Sequence, residues 1–254
     1  MTPLLTWLGQ AGFLLEYGDT RVLIDPFFSE HEARTFPPPP IDTFGARIDR
    51  YLVTHEHIDH LDRGSLPAVA ERSPDMVLIA PEPLRDMVDG VPFEGVRPGD
   101  RVELPGGAAA RVVRAVHAVH PEDGYSEGGD PPRFVGYVIE VEGIAIYHAG
   151  DTIVDERVLA GLDGVKVDVA LIPVNGRTFF REQRDLAGNA DARDAVELAA
   201  HCGASILVPI HWDLFRGNTE RAGAAADAAA EAGLPVHVMT LSRERPWAVT
   251  LPQS

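Results

Sequence analysis

Short, mostly apolar runs occupy the start of the chain, at 4–8, 13–17 and 21–24, separated by Gly12 and by Gly18-Asp19. Short apolar runs bounded by turn residues predict strands in hairpin succession. After a loop carrying four consecutive prolines at 37–40, further strands are predicted at 51–54, 76–80, 101–104, 110–119, 134–141, 144–147, 167–172, 206–209 and 236–240, most of them rich in β-branched residues. Helical signals are clearest late in the chain. Asp191 can cap a helix over 192–202 that Gly203 ends, and Thr219 can cap one that stops at Gly233-Leu234-Pro235. Weaker helices are predicted at 83–88 and 155–162, and the alanine-rich tract 222–232 reads as a surface helix. Strands dominate each half and helices follow them, so two sheets packed face to face with helices outside would bury both. No linker divides the chain, which predicts a single domain over 1–254.

The densest polar cluster follows the strand predicted at 51–54. It reads Thr54-His55-Glu56-His57-Ile58-Asp59-His60-Leu61-Asp62, a His-x-His-x-Asp-His pattern. Four specified residues at that spacing arise by chance in about one such sequence in a thousand, so the pattern is informative. Neutral imidazoles with a carboxylate suit borderline divalent ions, and four donors in six residues exceed what one tetrahedral ion takes from a tight loop. Two ions sharing the loop are expected. Three more strand ends carry matching donors: His120-Pro121, His148 with Asp151-Thr152, and His211-Trp212-Asp213.

Charge narrows the partners. Lys plus Arg number 22 and Asp plus Glu 39, so the formal charge is 22 − 39 = −17. That balance argues against nucleic acid and anionic membranes, which basic patches bind. The single cysteine excludes a disulfide framework and any cysteine-built metal site, while ten histidines call for explanation. No run of about 18 apolar residues exists, and the N-terminus lacks the basic start and apolar core of a signal peptide. The expectation is a cytoplasmic protein acting on a small molecule.

On the motifs Trp7-Leu8-Gly9-Gln10-Ala11-Gly12, Leu23-Ile24-Asp25-Pro26-Phe27, His55 to His60, His120, His148 to Thr152 and Pro209-Ile210-His211, the sequence resembles the metallo-β-lactamase superfamily of hydrolases. The resemblance implies an α/β fold, a four-layered αββα sandwich, with a dinuclear metal site at one edge. It implies that His55, His57 and His120 bind the first metal, that Asp59, His60 and His211 bind the second, and that Asp151 bridges them. His117 lies three residues before His120 and is the alternative third ligand; His120 is preferred because it stands at the predicted strand end before a proline. Within the superfamily the sequence is most similar to the L-ascorbate 6-phosphate lactonase branch, on Leu171 to Arg177, Gly188-Asn189, Glu197 and Pro209 to Asn218.

The ligand set implies a metal-bridging hydroxide as nucleophile, with Asp59 orienting it and the leaving group protonated by metal-bound water or by Asp59 acting as a shuttle. Zinc is the first choice of ion, manganese the second, and iron remains open. Asp25, Thr152 and Asp213 are expected to orient ligands, and Asn175, Arg177, Asn189 and Asn218 to bind substrate from loops. His148 could face the site or be satisfied by backbone, whereas His31, His201 and His237 read as solvent-facing or structural. Residues 122–133 could form a lid. The reaction expected is hydrolysis of a small anionic lactone, ester or phosphodiester, with a nuclease or a diiron oxidoreductase on the same scaffold as alternatives. The lactonase likeness makes a homo-oligomer reasonable.

Overall fold

In a computed structural model the chain is described over residues 1–117, 132–176 and 188–252. Two seven-stranded sheets face each other. The first contains β1 (Leu4–Gly9), β2 (Gly12–Tyr17), β3 (Thr20–Ile24), β4 (Arg50–Leu52), β5 (Val77–Pro81) and β6 (Phe93–Val96) in sequence order, with β14 (Pro246–Ala248) beside β1. The second runs β13 (His237–Val238), β12 (Ile206–Ile210), β11 (Val169–Pro173), β10 (Ile144–His148), β9 (Val135–Val141), β8 (Ala109–Arg114), β7 (Arg101–Glu103). Helices α1 (Ile41–Phe44) and α2 (Leu66–Arg72) belong to the first half, and α3 (Glu156–Leu162), α4 (Ala192–His201) and α5 (Ala224–Ala232) to the second.

The side-chain period of two explains the layering. Leu15, Ile24 and Leu52 point between the sheets, where they meet Tyr137, Ile146, Leu171 and Val208. Their neighbours Leu14, Leu23, Tyr51 and Val53 face outward and pack with Leu66 and Val69 of α2. On the far side, Val138, Tyr147, Ala170 and Leu207 pack with Val158 of α3, Val196 and Leu198 of α4, and Ala225 of α5. Central strands such as β11 and β12 are buried at every residue, as strands covered on both faces must be. The result is the expected αββα sandwich.

Local chemistry sets the ends of the elements. Asp191 caps α4 by accepting from the amides of Arg193 and Asp194, while Asp194 reaches back to the Asp191 amide. Gly233 closes α5 in the left-handed conformation at φ 62°. That helix starts at Ala224 rather than at the predicted Thr219 cap, because the intervening chain turns back and the Glu220 amide donates to Trp212 O. The strand predicted over 110–119 ends at Arg114. Beyond it Val116 leaves the ladder, its amide donating to Thr152 Oγ1 and its carbonyl accepting from the Ile153 amide. No helix among the described residues is long and apolar enough to cross a membrane.

Strand directions place the chemistry. Strands β3, β4 and β5 are parallel, as are β10, β11 and β12. The residues after β1, β3, β4, β8, β10 and β12 therefore emerge along one edge of the sandwich. Carboxyl ends of parallel strands are where α/β sheets bind ligands.

Candidate metal centre

Six residues singled out in the sequence meet at this edge: His55, His57, Asp59, His60, Asp151 and His211. They form two donor groups, one of His55, His57 and Asp151 and one of Asp59, His60 and His211, each able to hold a cation. Asp151 lies between them. Its Oδ2 is 3.9 Å from His55 Nε2 and 3.6 Å from His117 Nε2, while its Oδ1 is 3.3 Å from both His60 Nε2 and His211 Nε2. Gly150 makes this position reachable: it adopts φ 63°, and a Cβ there would lie 2.8 Å from the Thr54 side chain.

His117 is fully buried in the cluster, its ring centroid 5.0 Å from that of His57. The preference for His120 assumed a strand running to residue 119, and the early exit of β8 removes that premise. The Thr152 contact with Val116 brings His117 to the cluster. His120 and Arg177 lie outside the described residues, as does most of the 122–133 segment.

The imidazoles are oriented from behind. The Asp25 carboxylate accepts from the Thr54 amide at 2.8 Å and the Thr54 hydroxyl at 2.6 Å, and pairs with His60 Nδ1 at 2.7 Å. With the Thr54 hydrogen committed to Asp25, the 3.1 Å contact between Thr54 Oγ1 and His55 Nδ1 requires the imidazole to donate. Both rings then carry hydrogen on Nδ1 and turn Nε2 toward the carboxylates, the arrangement second-sphere partners impose on metal-binding histidines. Asp25 thus orients His60 directly and His55 through Thr54. Asp213 and Thr152 act differently: Asp213 Oδ1 accepts the Gln10 amide, and Thr152 fixes the 115–117 segment. His148 is structural, its Nε2 paired with Ala11 O at 2.8 Å and its Nδ1 accepting from the Gly150 amide.

Fit to a cation is a matter of spacing and unmet polarity. Donors at about 2.0–2.2 Å from an ion lie about 3.3–3.6 Å apart in a tetrahedron and about 2.8–3.1 Å apart in an octahedron. The Asp151 oxygens and facing nitrogens are 3.3–3.9 Å apart, close to the tetrahedral range. The buried atoms His55 Nε2, His60 Nε2 and Asp151 Oδ1 have no aligned hydrogen-bond partner, which is costly unless something else satisfies them. The residues present fit divalent metal.

Titration behaviour points the same way. Burial pushes His55 well below its ordinary value and His57 down to about 4. For His60 and His211 burial acts in the same direction, yet Asp151 foremost outweighs it and both are raised. Burial likewise opposes ionisation of Asp151 and Asp59, and the charges of His211 and His60 overcome it, holding both carboxyls below the usual range. In the metal-free protein, protons on two imidazoles supply the positive charge that buried carboxylates demand.

A cavity of about 400 Å³ opens onto the cluster, with His57, Asp59, Asp151 and His211 in its lining and His31, Ile58, Phe215, Arg216 and Asn218 around them. Asn218 is the expected polar residue that reaches it. Asn175 and Asn189 stand behind in a buried chain: Asn189 Nδ2 donates to Asn175 Oδ1, and Asn175 Nδ2 to Asn218 Oδ1. Gln10, Phe134 and Arg216 carry no role in the sequence reading, and His31, read there as solvent-facing or structural, lines the cavity. Phe134 packs its ring against His55 and His117, with centroids 4.9 and 5.2 Å away. His31 and Arg216 reach the cavity because the chain near Arg34 forms a bridge with Phe215.

The sequence profile of the Beta-lactamase superfamily domain matches residues 20–212. A UPF0173 metal-dependent hydrolase of Alkaliphilus metalliredigens is 32% identical over 215 residues, covering 83% of this chain and 86% of the relative. One from Methanosarcina mazei is 34% identical over 216 residues, covering 83% and 84%. Among solved structures, the metallo hydrolase Igni18 of Ignicoccus hospitalis shares the fold with a TM-score of 0.77 at 20% identity, over 99% of this chain and 100% of that one. Together with the His and Asp cluster at the sheet edge, these matches show that the chain belongs to the metallo-β-lactamase superfamily of metal-dependent hydrolases.

Proposed function

We propose that the protein hydrolyses a small anionic lactone, ester or phosphodiester at a centre of two divalent ions. The observation that carries this reading is the division of Asp151, whose two oxygens face different sets of imidazoles. On this reading His55, His57 and His117 hold one ion, Asp59, His60 and His211 hold the other, and Asp151 is shared. Zinc is the first candidate and manganese the second. Divalent ions supply a coordinated water acidified toward neutrality and a Lewis acid for the scissile carbonyl or phosphoryl oxygen.

The protein's own residues supply the rest. Asp59 lines the cavity and is held anionic, so its Oδ1 can take the nucleophile's proton and return it to the leaving group. His31 Nδ1 accepts the Ala33 amide, which places its hydrogen on Nε2, available to a bound substrate at the rim. Arg216 is exposed there, with no carboxylate at ion-pairing distance among the described residues. An exposed guanidinium at the rim of this cavity favours an anionic substrate, and Ile58 and Phe215 offer an apolar wall for its body. Asn175 and Asn189 hold Asn218 in position. The lactone class rests on the likeness of 171–177 and 209–218 to the ascorbate phosphate lactonases.

Metal analysis of protein purified without added metal, combined with hydrolysis of a panel of lactones, phosphodiesters and thioesters, tests the proposal. Two ions per chain and turnover that His57→Ala and Asp151→Ala abolish are expected. One ion per chain, or turnover unaffected by either change, would overturn it.

A further inference from the structure

Gln10 follows β1 and is 1% exposed. Its backbone is fixed in the left-handed region at φ 52°. Three hydrogen bonds hold it there: its amide donates to Asp213 Oδ1, and its carbonyl accepts from Trp7 Nε1 and from the His211 amide. A non-glycine residue persists in that conformation only when its surroundings over-determine it. What this placement achieves is to press the side-chain carboxamide onto the second donor group. Gln10 Nε2 lies 2.8 Å from Asp59 Oδ2 and 3.0 Å from His211 Nε2, the atoms through which those residues would meet an ion. The other end of the amide, Oε1, is buried with no hydrogen-bond partner.

A buried amide with one satisfied end and one orphaned end is an expensive arrangement. A half-turn about the last side-chain bond exchanges the two ends. It puts an oxygen beside the Asp59 carboxylate, a contact that is repulsive unless a cation lies between them.

We propose that Gln10 is an additional protein ligand of the second ion, presenting Oε1 alongside Asp59, His60, His211 and Asp151. This rests on the reading that the second group holds an ion, and it extends that reading to the ion's identity. Five protein donors, one of them a hard amide oxygen, suit an ion of coordination number five or six, manganese before zinc. The first group, built on three imidazoles and a shared carboxylate, carries no such donor among the described residues.

Two substitutions separate an oxygen ligand from a hydrogen-bond donor. Gln10→Leu removes both functions, whereas Gln10→Glu keeps oxygen and has no hydrogen to give Asp59. Calorimetric titration of the metal-free, full-length protein with Mn(II) is the readout. The wild type is expected to bind two ions. Gln10→Leu should weaken the second event at least about tenfold, and Gln10→Glu should bind the second ion no more weakly than the wild type. If Gln10→Glu loses the second event as Gln10→Leu does, or if Gln10→Leu binds both ions with wild-type affinity, the ligand assignment is wrong while the two-ion centre stands. If the wild type takes up fewer than two ions, the two-ion reading falls and this inference with it. A crystal of the Mn(II)-loaded wild type gives a second check that needs no variant: Oε1 toward the ion supports the assignment, and the amide nitrogen on Asp59 overturns it.

Discussion

Asp25 Oδ2 lies 2.7 Å from His60 Nδ1, and both side chains are fully buried. The same carboxylate accepts the amide and hydroxyl of Thr54, so one group at the exit of β3 organises the whole His-x-His-x-Asp-His loop. Asp25 adopts φ 43°, a conformation that Asp and Asn tolerate better than other side chains. Asp25→Ala is expected to leave three buried donors unmet and to lower stability by about 2–4 kcal/mol. Metal affinity should fall roughly 10–100-fold. Asp25→Asn, which keeps one acceptor and the backbone preference, should lie between. Chemical denaturation and metal titration of the three proteins measure this; wild-type metal affinity in Asp25→Ala would count against the orienting role.

His117→Ala should remove the ion of the first group and most activity, while His120→Ala should leave metal content unchanged. The reason lies in Thr152, whose hydroxyl fixes the Val116 amide at 3.1 Å and thereby the buried His117 ring. Thr152→Val should weaken the same ion about tenfold, and Thr152→Ser should restore it, since the hydroxyl alone carries the contact. Metal content after dialysis against a weak chelator decides between the two histidines, and the reverse pattern would reinstate His120.

These residues show what the sequence carried and what it hid. Strands β1 to β5 and β7 to β13 were legible because they are short runs rich in apolar and β-branched residues bounded by turn residues. Strands β6 and β14 were not, since Phe93–Val96 contains Gly and Glu, and Pro246–Ala248 opens on a proline. The His55 to His60 loop, Asp151 and His211 were legible because each donor follows its strand closely. The place of His117 in the cluster was hidden because β8 ends where Val116 bonds to Thr152, 36 residues away, a contact that no local pattern announces. Gln10 owes its position to a positive φ enforced by Asp213 and Trp7, and His31 and Arg216 reach one cavity through the pairing of the 31–35 and 213–216 segments. Long-range contacts of this kind have no period to read.

Stability of the metal-free protein should peak near pH 6.5. The raised His60 and His211 contribute stabilisation that is fully present below their unfolded value of about 6.5 and is lost as pH rises through their folded values. The lowered His55 and His57 act in the other direction. Below pH about 6.5 the unfolded chain binds protons that the folded chain refuses, so stability falls as pH drops toward 4, the value to which burial takes His57. Each fully engaged group gives a slope of about 1.4 kcal/mol per pH unit, or roughly 3–5 °C in Tm. Saturating metal replaces the protons on His60 and His211 and should flatten the alkaline limb. Melting curves from pH 5 to 9 with chelator and with metal test this, and an alkaline limb unchanged by metal would contradict the assignment of those imidazoles to the site.

Arg216 should govern which esters the enzyme accepts. Its backbone is set by the amide's bond to Ala33 O, and its side chain stands exposed at the cavity rim with no ion-pair partner among the described residues. A charge-assisted bond to a substrate anion there is worth about 1.5–3 kcal/mol, so Arg216→Ala should raise KM for an anionic ester roughly 10–100-fold. Arg216→Lys should recover part of the loss, since it keeps the charge and forfeits the two-pronged geometry. A neutral ester of the same shape should be unaffected, because it relies on Ile58 and Phe215 for its body. Kinetics on 4-nitrophenyl hemisuccinate and 4-nitrophenyl butyrate make the comparison, and the difference between them should shrink as salt screens the exposed guanidinium. Equal loss on both esters would mark Arg216 as a support for the 213–218 loop rather than the group that reads the anion.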